Sequence, residues 1–325
     1  MWIVCITSVR HVLTVNGYGG RQTKENEKSW CFKGWETLVI NTPFDHSGGI
    51  DKDGLRKHLR YAINSGVKGF LIPAMASEVL KLSESEKELL VKIALEEAGT
   101  DVAVIAGTSA YTRKERYENF VKFQAMGCRA LLVNIPFVSA DEYLDEVKQL
   151  DQLSPEMIVI QDWDAGGYGL PLDFIGQLYR EIESFKMLKV EVVPAGKKYT
   201  DVKMLTKGKL LLAGGWAVGQ MIEGLERGVD CFMPTAMHEI YVRIYTLFQE
   251  GHKTAARELF ERILPILSYS NQHLDISIHF FKEMMYSLGI YETNMVREPI
   301  IALDAINHKI TDELIERYKV IRDSL

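Results

Sequence analysis

Between Trp35 and about residue 250, short apolar runs alternate with longer stretches whose apolar residues recur every three or four positions. The short runs fall at 37–40, 68–72, 102–105, 130–133, 157–160, 185–194, 210–212 and 230–233. They are near-continuous rather than alternating, the pattern of strands covered on both faces. The longer stretches predict amphipathic helices. Leu55, Leu59, Ala62 and Ile63 share one face ahead of Gly66. Ser83 and Glu86 have the spacing of a capping box, and the helix they open carries Leu89, Leu90, Ile93 and Ala94 and stops at Gly99. Further helices end at Gly127, open at Ser139 with Glu142, run through Leu172, Ile175, Leu178 and Tyr179, end at Gly228, and carry Ile240, Ile244, Leu247 and Phe248. Eight strand–helix units in about 215 residues predict an α/β fold, a (β/α)8 TIM barrel, rather than an open doubly wound sheet.

Beyond Gly251 the pattern is only helical. Ala256, Leu259, Phe260 and Ile263 form one apolar face, and further helices are predicted at 273–288 and 311–322. Ahead of the barrel, Met1 to Val15 is apolar but broken by Arg10 and His11, and the next stretch is rich in glycine and charge. The chain therefore divides into an N-terminal extension (1–33) read as flexible, a barrel (34–250) and a C-terminal helical region (251–325) suited to subunit contacts. Gly17-x-Gly19-Gly20 lacks a preceding strand and is not read as a nucleotide loop.

The 325 residues are 47% hydrophobic and 25% charged, an ordinary globular balance. A net charge of −6 argues against nucleic acid or an anionic membrane as the main partner, and no apolar run is long enough to span a bilayer. Cys5, Cys31, Cys128 and Cys231 are widely spaced without a C-x-x-C, which reads as reduced thiols in a cytoplasmic protein. The eight histidines show no H-x-H or H-E-x-x-H spacing, so no metal site is expected.

Chemistry enters with the sixth run, where Lys189 and Glu191 interrupt Met187, Leu188, Val190, Val192 and Val193. Residues two apart on a strand face the same way, so both charges should project into one interior. They form either a structural ion pair or a functional one, in which an amine held in a partly dry pocket attacks a carbonyl carbon. In a barrel the chemistry sits at the C-terminal strand ends. The stretches to inspect are 41–44, 73–78, 107–111, 134–138, 161–167, 189–194, 214–216 and 231–235, and Lys189 is the one lysine near the middle of an expected strand. Trp163 and Tyr168 belong to a glycine-rich loop over the expected mouth, where they either meet substrate or pack on the barrel.

Thr42-Pro43-Phe44-Asp45 with Gly49-Ile50-Asp51, then Glu78, Leu82-Ser83 and Glu86, resemble the opening segments of the dihydrodipicolinate synthase and N-acetylneuraminate lyase family. The distance from Gln161 to Lys189 is similar to that between the family's tyrosine-asparagine-x-proline motif and its Schiff-base lysine. Gly214 and Cys231 fall on the family's strand-seven glycine and strand-eight positions. The resemblance covers roughly Trp35 to Leu325. It implies a class I aldolase-type barrel that binds pyruvate or a 2-oxo sugar acid through an imine on Lys189. It implies no metal or organic cofactor, and a homo-oligomer, a tetramer or dimer.

The departures are as informative. The family's glycine-threonine-threonine-glycine-glutamate turn reads Ala74-Met75-Ala76-Ser77-Glu78, and its motif tyrosine is Gln161. The tyrosine donated across the dimer is Val138, and the arginine for a distal carboxylate is Gly166. With that hydroxyl relay gone, Glu191 or Asp162 is the candidate general acid and base, Gln161 stands in the tyrosine's place, and backbone amides of Ala76 and Ser77 are the candidates to hold a carboxylate. A carboxylate beside a lysine favours the charged amine, so water or substrate is expected between Glu191 and Lys189. The leading reading is an imine-forming lyase, aldolase or dehydratase on a 2-oxo acid. The alternatives are a non-catalytic or regulatory 2-oxo acid-binding protein on the same scaffold, and a hydrolase using Asp162 and Glu191 without an imine.

Overall fold

The computed structural model describes residues 35–164 and 166–325. Cys5, Cys31 and the expected extension over 1–33 lie outside these. Eight parallel strands close into a barrel in sequence order: β1 Trp35–Val39, β2 Gly69–Leu71, β3 Ala103–Gly107, β4 Ala130–Val133, β5 Met157–Asp164, β6 Phe185–Val192, β7 Leu211–Gly214 and β8 Cys231–Phe232. Closure is through Trp35 opposite Cys231. The outer helices are α1 Lys52–Asn64, α2 Glu84–Ala98, α3 Arg113–Ala125, α4 Ala140–Asp151, α5 Leu172–Glu181, α6 Ala195–Leu205, α7 Met221–Glu226 and α8 His238–Gln249. Then come α9 Lys253–Ser270, α10 Leu274–Ser287 and α11 Ala305–Arg322. No helix of the described residues is long and apolar enough to cross a membrane.

The strand residues of β2, β3 and β4 are buried throughout, as their unbroken apolar runs require. Ser83 and Glu86 form the expected capping box of α2. Three elements differ from expectation. Strand β5 continues four residues past Ile160, because β6 pairs with it as far as Asp164 opposite Val192. Helix α6 has a weak apolar stripe because its buried face includes Lys198 and Asp201. Helix α11 begins at Ala305 rather than near Thr311, on a capping box of Asp304 and Asn307.

Two ion pairs fasten the C-terminal region to the barrel, one at the loop after β2 and one at the first turn of α2. Lys282 of α10 pairs with Glu78, and both side chains are fully buried. Lys282 also lies 4.1 Å from the centre of the Phe44 ring. Glu78 itself sits in the left-handed region at φ 58, an arrangement that costs about 1–2 kcal/mol for a residue with a side chain. Its second oxygen accepts from the Arg297 amide at 2.9 Å.

The Arg297 guanidinium grips Glu86 with both terminal nitrogens, one at 2.9 Å. That contact lowers the Glu86 carboxyl from its ordinary 4.5 to about 2. A depressed folded-state value means the bridge contributes stability above about pH 4.5 that is lost as pH falls through about 2. Arg297→Met is expected to flatten the acid limb of stability across this window, read as urea unfolding free energies at stepped pH.

Candidate active site

Strand β5 lies beside β6 with Gln161 opposite Lys189 and Trp163 opposite Glu191. Alternation along both strands turns these four side chains into one cavity at the C-terminal ends of the barrel strands. The cavity holds about 500 Å³, within the range of small-molecule sites. Lys189 Nζ lies 3.0 Å from Glu191 Oε1, with both side chains at least nine-tenths buried. The expected spacer between them is therefore absent, and the contact is direct. The Gln161 side-chain amide donates to the other Glu191 oxygen. Gly215 makes the arrangement possible, since a Cβ there would lie 2.0 Å from Glu191 Oε1.

The loop after β2 supplies another wall. Met75–Ser77 form a single 3-10 turn whose first internal bond runs from the Ser77 amide to the Ala74 carbonyl, 2.9 Å. The Met75 and Ala76 amides precede that bond. The end of β1 fixes the turn: Asn41 Nδ2 donates to the Ala76 carbonyl at 2.8 Å, and Thr42 Oγ1 to the Ser77 carbonyl at 2.6 Å. Ala74, Met75 and Ala76 line the cavity, with Asn134, Met233 and Thr235 from other strand ends.

Four expected site residues are not brought there. Asp162 has the opposite parity to Gln161 and points out of the barrel, where it pairs with buried Lys198 at 3.0 Å and accepts from the Leu170 amide. Burial raises its carboxyl pKa. Ser77 is spent on structure: its amide is bonded in the turn and its hydroxyl donates to the Ile40 carbonyl and accepts from the Ala74 amide. Gly214 packs on β8, where an added Cβ would lie 2.7 Å from the Phe232 ring, and its neighbour Gly215 is the glycine at the cavity. Cys231 is fully buried in β8 and does not line the cavity. Trp163 and Tyr168 part company as well. Trp163 lines the cavity, whereas the Tyr168 hydroxyl donates to Asp201 at 2.6 Å and its ring covers Lys198.

The C-terminal region closes the far side with Leu267, Ser270, Asn271, His273, Asp275 and Phe281. A search confined to barrel loops misses them, and their helical pattern carries no sign of a cavity. Among the described residues no group of three or more His, Cys, Asp or Glu could hold a metal ion.

The model of the dihydrodipicolinate synthetase family matches residues 32–317. The chain belongs to that family. It is accordingly a lyase of the dihydrodipicolinate synthetase type, and a divergent one. It is 24% identical to the L-2-keto-3-deoxyarabonate dehydratase of Azospirillum brasilense over 272 residues, 81% of this chain and 87% of that protein. It is 22% identical to the 4-hydroxy-tetrahydrodipicolinate synthase of Brucella suis over 297 residues, 89% of this chain and 99% of that one. The fold superposes on the dihydrodipicolinate synthase of Rhodopseudomonas palustris with a TM-score of 0.81 at 21% identity, covering 88% of this chain and 98% of that chain. It superposes on the sialic acid aldolase of Ruminococcus gnavus with a TM-score of 0.80 at 16% identity, covering 89% and 98%. Within the dihydrodipicolinate synthetase family, this member places a glutamine–glutamate–lysine cluster at the heart of its barrel.

Proposed function

We propose that this protein is a class I lyase that forms an imine between Lys189 Nζ and the keto carbon of a 2-oxo acid. The observation that carries the reading is a buried amine in direct contact with a carboxylate, at the C-terminal mouth of a closed barrel. The ion pair supplies its own proton path. Lys189 passes a proton to Glu191 along their 3.0 Å contact, and the freed lone pair attacks the keto carbon. The carbonyl π-electrons move to oxygen, which takes a proton from the attacking nitrogen to give a neutral carbinolamine. Protonation of that hydroxyl by Glu191 releases water and leaves the C=N bond. The imine then accepts the electron pair of a breaking carbon–carbon bond, or the pair of an adjacent C–H bond whose proton is removed before a hydroxyl departs. The relatives include both an aldolase and a dehydratase, in keeping with either outcome.

In this reading Gln161 orients Glu191, and the amides of Met75 and Ala76 receive the substrate carboxylate. Asp162 takes no part, which removes the support for a hydrolase. Cytoplasmic, homo-oligomeric assembly belongs to the same reading, in keeping with Ile306 and Val320 standing exposed on α11. The experiment is borohydride reduction with pyruvate, followed by intact mass and peptide mapping. A stable adduct on Lys189 is expected, and none on Lys189→Ala. The alternative, a binding protein in which the direct ion pair is permanent, gives carboxylate binding with no adduct.

Gly215→Ala tests the role of Glu191 without touching the lysine. The added methyl group displaces the carboxylate, and a shift of about 1 Å is expected to lower kcat/KM by about 10–100-fold. Steady-state kinetics check this, and unchanged kinetics would remove Glu191 from the proton path.

A further inference from the structure

The far half of the cavity has a chemical character of its own. Among the described lining residues the only cationic side chain is Lys189, while two carboxylates face the same space, Glu191 and Asp275. Asp275 is held in place by the Ile301 amide, which donates to it at 2.9 Å, and it sits in the first turn of α10, where a negative charge is favoured. The remaining polar groups of this wall are Ser270, Asn271, Ser277 and His273, whose Nδ1 is occupied as the acceptor of the Asp275 amide at 3.1 Å. Ser270 belongs to the last turn of α9 and is fully buried. Its hydroxyl has no hydrogen-bond partner among the described residues. A buried hydroxyl without a partner is costly, and the cost disappears when a ligand oxygen meets it.

We infer that the site selects 2-oxo acids with a single carboxylate and an uncharged, oxygen-bearing far end, and rejects those with a second carboxylate. The inference rests on the imine reading and adds what lies beyond the keto carbon. One carboxylate of the substrate is met by the amides of Met75 and Ala76. A second one would meet Asp275 with no lysine or arginine on that wall among the described residues, and like charges brought together in a partly dry site repel strongly. A hydroxyl at the same place meets Ser270 and the neutral amide of Asn271. Asp275 and Ser270 thus act as selecting residues, on an element that carries none of the reacting groups.

The test is borohydride trapping on Lys189 with pyruvate as control and three chain-matched probes: 2-oxopentanoate, 5-hydroxy-2-oxopentanoate and 2-oxoglutarate. The hydroxylated probe is expected to be trapped fastest, and 2-oxoglutarate at least about tenfold more slowly. Asp275→Asn should narrow the gap between 2-oxoglutarate and 5-hydroxy-2-oxopentanoate, each rate taken relative to pyruvate with the same variant. Ser270→Ala should erase the advantage of the hydroxylated probe over 2-oxopentanoate. Normal pyruvate trapping with 2-oxoglutarate as fast as its alcohol counterpart overturns the inference and leaves the imine reading standing. No adduct with any of the four compounds overturns both.

Discussion

Lys189→Arg is expected to lower turnover by on the order of 10⁶-fold, the scale of deleting a covalent nucleophile. The substitution is chosen because it separates charge from chemistry. A guanidinium can still pair with Glu191, which in the native protein has Lys189 Nζ 3.0 Å away. It stays protonated and cannot form an imine. If the ion pair were only structural, arginine would replace lysine with little consequence for activity. Lys189→Ala removes the amine altogether but leaves Glu191 buried without this partner, so it confounds lost chemistry with lost stability. The two variants are therefore read together, by kinetics and by thermal unfolding. Glu191→Gln completes the set with an expected loss of about 10²–10⁴-fold, the usual share of a general acid and base. Turnover within tenfold of wild type in Lys189→Arg would take the imine out of the mechanism.

The second large effect lies away from the reacting atoms. Lys282→Met is expected to destabilise the protein by about 3 kcal/mol, the low end for breaking a buried pair, because it removes the fully buried partner of Glu78 and leaves only Lys81, 3.2 Å away, as a cation against that carboxylate. Burial holds the Lys282 amine down at about 8 even with that partner beside it, which shows how dry the pocket under α10 is. Glu78 would lose its firmest support while still held in the left-handed region at φ 58. The double variant Glu78→Gln/Lys282→Met removes both charges and should recover a large part of the loss. Urea unfolding of the three proteins checks the argument, and equal stabilities for wild type and Lys282→Met would sink it.

The barrel was legible because its strands are covered on both faces and therefore stand out as unbroken apolar runs between helix signals. Lys189 and Glu191 were legible for the same reason: two charges in such a run, two residues apart, have to share an interior. Parity along β5 was the harder matter. Gln161, Asp162 and Trp163 are consecutive polar or amphipathic residues, and with the strand taken to end at Ile160 nothing told which of them faced inward. Strand β5 runs to Asp164 only because β6 continues alongside it. The sequence therefore does not reveal that Asp162 faces outward, and its partner, Lys198, is hidden in a helix whose buried charges blur its apolar stripe. Of the expected pair Ala76 and Ser77 only Ala76 lines the cavity, and Gly214 is one residue short of Gly215, a displacement that resemblance at a degenerate motif readily produces. The far wall was not legible at all, since Ser270 and Asp275 reach the cavity through the packing of α9 and α10 rather than through any local pattern.

Helix α10 has two attachments: Lys282 latches it to the loop after β2, and residues from Leu274 to Phe281 wall the cavity. The barrel thus keeps the reactivity while a replaceable cover does the choosing. A lineage could trade one clientele for another by rewriting a single helical hairpin, with the lysine strand untouched. A designer could do the same by exchanging positions 267–281 for those of another catalyst, provided the latch at Lys282 lies beyond the exchanged segment and is kept.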